Sequence, residues 1–145
     1  MLKVYLLVSF FWVSGIIVAC GGKSSPAEVF MEEYFEAWKQ KDWKKVASLY
    51  DAQFYEAKKI SAEAWSQQIQ KSSSILGELE KWQLLSWTDH LQQGSGTEGK
   101  YYILNYAVHY ANDEVQESFV IYQSQDGKSI KILNWNPNPK KLTLP

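Results

Sequence analysis

The sequence predicts an α+β domain in which three amino-terminal helices pack on a curved four-stranded antiparallel sheet. Two observations lead to this prediction. Apolar residues first recur at spacings of three and four, which is the helical period, and from residue 100 onward they alternate with a period of two, as in a strand. The chain has 145 residues, 46% hydrophobic and 15% aromatic, which is enough for the core of one domain.

The charged residues give little support to a nucleic-acid partner. The formal net charge is -1, and every basic residue is a lysine. Arginine supplies the bidentate fork that phosphate and base-edge recognition usually uses, so we expect no nucleic acid to bind. Cys20 is the only cysteine, and therefore neither an internal disulfide nor a tetrathiolate zinc site can form within one chain.

Residues 1–19 have the pattern of a signal peptide. Lys3 gives a positive start, and the apolar run from 4 to 18 is shorter than the roughly 20 residues that a spanning helix needs. The stretch Ile17-Val18-Ala19-Cys20 resembles the bacterial lipobox. This resemblance implies cleavage before Cys20 and anchoring by acyl chains such as palmitate on the new amino terminus. The alternative is an ordinary secretory signal with a chance cysteine.

The residues after the cysteine predict a location and a tether. Gly21 stands where an aspartate would resemble an inner-membrane retention signal, so the resemblance implies the periplasmic face of the outer membrane. Residues 20–26 are small and polar and predict a flexible lipidated tether. Residues 27–145 are then a single domain.

Three helices are predicted before the first strand. The first starts near Ala27, the second has Asp42 as its N-cap, and the third runs from an N-cap at Ser61 to Gly77. Residues 51–60 are less regular and are not assigned a helix, although two of their aromatic side chains are expected in the core. The side chains expected to be buried are Ala27, Phe30, Met31, Tyr34, Phe35, Trp38, Trp43, Val46, Ala47, Tyr50, Phe54, Tyr55, Trp65, Ile69, Ser72 and Leu76.

Four strands follow the helices. The imperfect alternation of the first strand predicts a bulge, whereas the second alternates strictly. Pro137 and Pro139 are expected to end the fourth strand. The predicted strands are residues 78–91, 100–111, 115–123 and 128–136, and the predicted hairpin turns lie at Asn112-Asp113 and Asp126-Gly127.

An ordered set of residues extends over nearly the whole mature chain. Its members are Lys41-Asp42-Trp43, Trp65, Leu76-Gly77, Gly99, Tyr101, Leu104, Tyr106, Val108, Tyr110, Glu117 and Asp126-Gly127. The set resembles the cystatin-like cone fold of nuclear-transport-factor-2-like, or ketosteroid-isomerase-like, proteins. More narrowly, the chain is similar to domain of unknown function 4019, a bacterial family of secreted or lipid-anchored proteins. It departs from that family near Ile130 and at Asn134-Trp135. The resemblance implies a fold and a location but no activity.

The cone-fold resemblance implies a pocket between the helices and the sheet. The candidate pocket residues are Tyr34, Trp38, Tyr102, Tyr106 and Tyr110. Tyrosine hydroxyls there could donate hydrogen bonds to a carbonyl ligand, or the tyrosines could simply be core residues with satisfied hydroxyls. Glu117 lies on the apolar side of its strand and is the candidate general acid or base, with a raised pKa. The alternative for Glu117 is a cross-strand lysine partner or an edge position.

No cofactor or metal is expected. His90 and His109 are the only imidazoles, too few for a three-histidine site, and no glycine-rich phosphate loop or G-x-S-x-G elbow is present. His109 lies on the strand face opposite the tyrosines and is expected at the surface or at an interface.

The sequence thus predicts a non-enzymatic envelope domain, anchored by lipid, that binds a small apolar ligand or a protein. A homodimer through the outer sheet face is one such partner. The alternative is an isomerase- or hydratase-like enzyme that uses a carboxylate and a tyrosine in the pocket. A third alternative is an accessory subunit of an envelope machine.

Overall fold

A computed structural model describes residues 23–94 and 98–145 of the chain. Four helices precede four strands. They are α1 (Pro26–Lys39), α2 (Trp43–Ser48), α3 (Ala52–Lys58), α4 (Ala62–Leu76), β1 (Leu79–Gln92), β2 (Gly99–Tyr110), β3 (Glu114–Ser124) and β4 (Ile130–Pro139). The predicted signal peptide and Cys20 lie outside the described residues. None of the described helices is long and apolar enough to cross a membrane.

The start of α1 follows from a capping box. Ser25 Oγ accepts a hydrogen bond from the Glu28 backbone N–H at 3.2 Å, and Glu28 Oε2 accepts one from the Ser25 N–H at 2.7 Å. Pro26 fits the first helical position, where its missing N–H costs nothing. The predicted buried face of α1 is confirmed for Ala27, Phe30, Met31, Tyr34, Phe35 and Trp38.

The described residues 23–94 and 98–145 form four helices, and the prediction of three is wrong. Residues 52–58 form α3 because Asp51 caps it, accepting from the Gln53 N–H at 2.9 Å. Lys59 adopts the left-handed conformation, with φ of 53°, and ends the helix. Phe54 is the buried residue of this short segment, and one buried side chain is too few to give a helical period.

The predicted four-stranded antiparallel sheet is confirmed, with the strand order β1-β2-β3-β4. One side of it, here called the inner face, carries Tyr102, Leu104, Tyr106, Val108 and Tyr110, all at most 5% exposed. The opposite side, the outer face, carries the other half of β2. The predicted irregularity of β1 is also present, as a shift of register between Leu84 and Ser86.

Two details of the sheet differ from the prediction. The Tyr110 N–H donates to the Asp113 carbonyl at 2.8 Å, so the turn residues are Ala111 and Asn112, one position earlier than predicted. β4 extends to Pro139 and includes both prolines that were expected to end it. β4 is an edge strand, and alternate backbone nitrogens of an edge strand point away from the sheet, so Pro137 and Pro139 break no ladder hydrogen bond.

The core lies between the helices and the inner face. The Phe35 ring of α1 contacts three sheet aromatics, Trp82, Tyr106 and Phe119, with ring centroids 5.0 to 5.9 Å apart. A single parallel bridge between Tyr50 and Ile132 joins the helical half to β4. The helices therefore cover the middle of the inner face with aromatic side chains.

Candidate functional site

Glu117 is a carboxylic acid buried in this aromatic core. It lies on the inner face of β3 between Val115 and Phe119, and all three are 0% exposed. The Tyr110 hydroxyl donates to Glu117 Oε1 at 2.7 Å, and Trp135 Nε1 donates to Oε2 at 2.9 Å. Each carboxyl oxygen therefore has one donor, and both donors are neutral groups.

Burial dominates the titration of this acid. Desolvation raises the pKa of Glu117 to about 7, and the hydrogen bonds from Tyr110 and Trp135 act in the opposite direction. No salt bridge among the described residues includes Glu117. The carboxyl group therefore changes its charge near neutral pH.

Two further tyrosines complete what we call the Glu117 cluster: Glu117, Tyr110, Trp135, Tyr34 and Tyr50. The hydroxyls of Tyr34 and Tyr50 lie 3.3 Å apart. Burial raises the pKa of both phenols, and the charge of Glu117 adds to this effect. Burial likewise holds the pKa of Tyr110 well above its ordinary value. The three phenols therefore stay protonated at physiological pH, and the Tyr110 hydroxyl donates to Glu117.

Indole rings surround the cluster. Trp38 lies 6.1 Å from the Tyr110 ring and 6.2 Å from the Trp135 ring, and Trp65 lies 5.7 Å from Trp135. Trp38 Nε1 is buried and has no hydrogen-bond partner among the described residues. The cluster is thus closed by packed rings rather than open to water.

The predicted pocket residues do not share one site. Tyr34, Trp38 and Tyr110 lie around Glu117. The Tyr102 hydroxyl instead donates to Gln123 Oε1 at 3.0 Å, farther along the strands. Tyr106 lines a small cleft of about 150 Å³ beside α1. The three tyrosines of β2 share a face, but their hydroxyls reach different surroundings.

None of the five main clefts formed by the described residues leads to the acid. Five clefts formed by the described residues have volumes of about 150 to 440 Å³, and neither Glu117 nor Tyr110 lines any of them. The cleft that includes Trp135, of about 300 Å³, lies between that ring, Trp65 and Pro145. Trp135 therefore separates this cleft from the carboxyl group.

Sequence reasoning missed two members of the Glu117 cluster. Trp135 was predicted only as a strand residue, and Tyr50 only as a buried helix residue. Trp135 pairs with Phe119, two positions from Glu117, and a bulge between Val120 and Ile121 sets this register. The hairpin turn between β3 and β4 does not predict such a bulge, so the sequence does not show that Trp135 reaches Glu117. The only signal for this contact is that an aromatic residue lies in the strand next to an inward-facing acid.

The outer face carries partly exposed aromatic and aliphatic side chains in adjacent rows. His90 stacks on Tyr101 with ring centroids 5.2 Å apart, and Tyr101 contacts Tyr122 at 5.2 Å. In the next row Ile103 is 38% exposed between Thr88 and Val120. At one end of this face His109 Nδ1 lies 3.4 Å from Glu114 Oε2, as expected for a surface position.

Comparison of the chain with family models, curated proteins and solved structures finds no match. In residues 23–94 and 98–145, no group of three or more His, Cys, Asp or Glu side chains could hold a metal ion. The Glu117 cluster and the outer face are therefore the two features of the described chain that bear most directly on function.

Proposed function

We propose that this chain is a non-enzymatic, lipid-anchored protein of the bacterial cell envelope that binds a protein partner through the outer face of its sheet. The observation that carries the proposal is the composition of that face. Ile103 is 38% exposed beside the aromatic row of His90, Tyr101 and Tyr122. Aromatic side chains of this kind contribute most of the binding energy in many protein interfaces.

The interior supports binding at the surface rather than inside. A small apolar ligand or a substrate would need a cavity, and the five clefts of the described residues do not reach Glu117. Glu117 is 0% exposed, and both of its carboxyl oxygens already accept hydrogen bonds from the protein. A large, partly apolar sheet surface is the better candidate for recognition.

The location rests on the sequence. The lipobox resemblance of residues 17–20 supports lipidation at Cys20 and a place on the periplasmic face of the outer membrane. The resemblance to nuclear-transport-factor-2-like proteins and to domain of unknown function 4019 supports a cone-shaped arrangement of the α+β elements. Neither resemblance names a ligand.

A Cys20→Ala variant tests the anchor. We expect it to lose metabolic labelling with palmitate and to leave the membrane fraction, because no other segment of the mature sequence is long and apolar enough to anchor it. Unchanged membrane fractionation of this variant would contradict the proposed anchor.

A second copy of the chain is the first partner to test. We expect the chain from Lys23 onward to dimerise with increasing concentration in sedimentation equilibrium, and Ile103→Lys to weaken this association. Ile75→Lys is the matched control, since Ile75 is also 38% exposed but lies on α4. If the wild type stays monomeric, the partner is a different envelope protein. Crosslinking in cells should then depend on Ile103 and not on Ile75, and equal crosslinking in both variants would refute the outer-face proposal.

A second candidate function is favoured by one contact. The Tyr110 hydroxyl lies 2.7 Å from Glu117 Oε1, and burial raises the pKa of Glu117 to about 7, a value suited to a general base. In an isomerase-like reaction Glu117 would remove a proton next to a carbonyl whose oxygen accepts from Tyr110. Exchange of α-protons of a ketone panel in D₂O, followed by NMR, tests this function. Exchange that Glu117→Gln abolishes would establish it, and absence of exchange would leave binding as the function.

A further inference from the structure

The helices cover the inner face of β1 only as far as its bulge. Before the bulge, Trp82 stacks on Phe35 of α1 at 5.1 Å, and Leu84 also packs against the core. After the bulge, Trp87 and Leu91 pair with residues of β2 on the same inner face, yet they are 46% and 60% exposed. Strand alternation continues there, but none of the helices α1 to α4 lies over it.

Two more exposed apolar side chains lie next to this uncovered end. Leu85, within the bulge, is 50% exposed, and Val29, in the first turns of α1, is 61% exposed. Val29 and Leu84 line the same small cleft, and the Leu84 row of the sheet adjoins the Trp87 row. We call Val29, Leu85, Trp87 and Leu91 the apolar strip. These four are among the most exposed large apolar side chains of the described chain.

The amino end of the described chain lies beside the apolar strip. Ser24 lines the same cleft as Val29 and Leu84. Cys20 precedes Ser24 by four residues, and four residues of fully extended chain span at most about 14 Å, which sets the greatest length of the tether. The capping box at Ser25 shortens the free tether to residues before the helix. A lipid on Cys20 would therefore hold this end of the domain at the bilayer surface.

We propose that the apolar strip rests in the interfacial region of the membrane that the Cys20 lipid enters. This inference rests on the proposed lipid anchor. Tryptophan and leucine favour this region, where an indole ring meets both acyl chains and headgroups. The occupant of the strip is thus a lipid surface, selected by the short tether rather than by the apolar side chains alone.

The charged side chains around the strip indicate which lipid headgroups it can contact. Between Trp87 and Leu91, Asp89 forms an ion pair with Lys100 at 2.6 Å. Glu28 and Glu32 of α1 line the cleft at the other side of the strip. The surroundings are not net positive, so contact is expected on zwitterionic lipid and needs no anionic headgroup. Lys39, at the far end of α1, lies ten residues after Val29, which puts it about 15 Å from this part of the strip. Trp87 and Leu91 lie on the inner side of the sheet, so a contact there leaves the outer face free for a partner.

Tryptophan quenching in vesicles tests the proposal on the full, lipidated protein. The protein is purified from bacterial membranes and reconstituted into phosphatidylethanolamine and phosphatidylcholine vesicles, with and without brominated acyl chains. We expect brominated lipid to quench part of the tryptophan emission and Trp87→Phe to remove most of that quenching. Trp43→Phe is the control, because Trp43 follows the far end of α1. It should leave the quenching unchanged.

The outcomes distinguish failure of the apolar-strip proposal from failure of the lipid-anchor proposal. Intact mass and vesicle flotation of the same sample report whether Cys20 carries acyl chains. In an acylated, floating sample, unquenched emission, or quenching that Trp87→Phe leaves unchanged, overturns the apolar-strip proposal and leaves the anchor intact. A sample without acyl chains overturns both, since the short tether is what brings the strip to the lipid.

Discussion

Glu117 and Trp87 lie on the same inner face of one sheet, and each reverses the usual relation between polarity and burial. The acid is 0% exposed among aromatic rings, whereas the large apolar Trp87 is 46% exposed. The difference comes from coverage, because the helices lie over β3 and over β1 only before its bulge. Strand alternation assigns a residue to a face, but the position of the helices decides whether that face is closed or open. The closed region is suited to a structural role and the open one to contact.

The largest expected effect on the free energy of unfolding concerns the closed region around Glu117. The pKa of Glu117 is about 7 in the folded chain against an ordinary value of 4.5, so the folded state holds this proton more tightly. The stability from Glu117 is fully present below pH 4.5 and is lost as the pH rises through 7, a loss of about 3 kcal/mol. Urea unfolding of wild type and Glu117→Gln across this range measures it. Relative to Glu117→Gln, the free energy of unfolding of the wild type should fall as the pH rises from 4.5 to 7. A constant difference between the two proteins over this range would show that the acid is not closed off.

A second prediction concerns the donor to this acid. At pH 8, Tyr110→Phe should lower the free energy of unfolding by about 2 kcal/mol, because it leaves a buried carboxylate oxygen without its donor. Tyr122→Phe is the matched control, since the Tyr122 hydroxyl donates at 2.9 Å to the exposed Glu98 carbonyl, which water can also satisfy. Equal effects of the two substitutions would contradict the special role of the closed region.

A third prediction compares the two halves of β1. Trp82→Ser removes a ring that stacks on Phe35 and an indole N–H that donates to Glu32 at 3.0 Å, and we expect it to cost about 2 kcal/mol. Trp87→Ser should change the stability by less than about 0.5 kcal/mol, because Trp87 is exposed. Chemical denaturation of both variants checks this. A large loss from Trp87→Ser would mean that the apolar strip serves the fold and not a contact.

The smallest effect on stability is expected at Asp113. Its surroundings lower its pKa, whereas those of Glu117 raise the pKa of that acid. Desolvation raises the pKa of Asp113, but backbone N–H donors at Lys141, Leu142 and Glu114, at 2.8 to 2.9 Å, outweigh this and lower it. Asp113 therefore contributes stability above its ordinary pKa of 3.8 that is lost as the pH falls through its lowered value. Asp113→Asn should speed hydrogen exchange at Lys141 and Leu142 and leave the centre of the sheet unchanged. Unchanged exchange at both amides would contradict this anchoring of the carboxyl terminus.

Local patterns predicted most of the fold because they are properties of single segments. The alternation of β2, the aromatic face of α1 and the caps at Asp42 and Ser61 each need only neighbouring residues. α3 escaped prediction because one buried side chain gives no period. The partners of Glu117 and the exposure of Trp87 depend on bulges and on helix placement, which arise only when distant segments pack.

Direct titration of the Glu117 carboxyl group tests the central claim that this acid is sealed inside the fold. Carbon-13 NMR of protein labelled at glutamate side-chain carboxyls follows each acid, and Glu117→Gln identifies the resonance. We predict one carboxyl with a pKa near 7 that is missing from the variant. If every glutamate titrates near its ordinary value of 4.5, water reaches Glu117 and the interior is open to ligands. The argument that a closed interior favours binding at the surface would then fail.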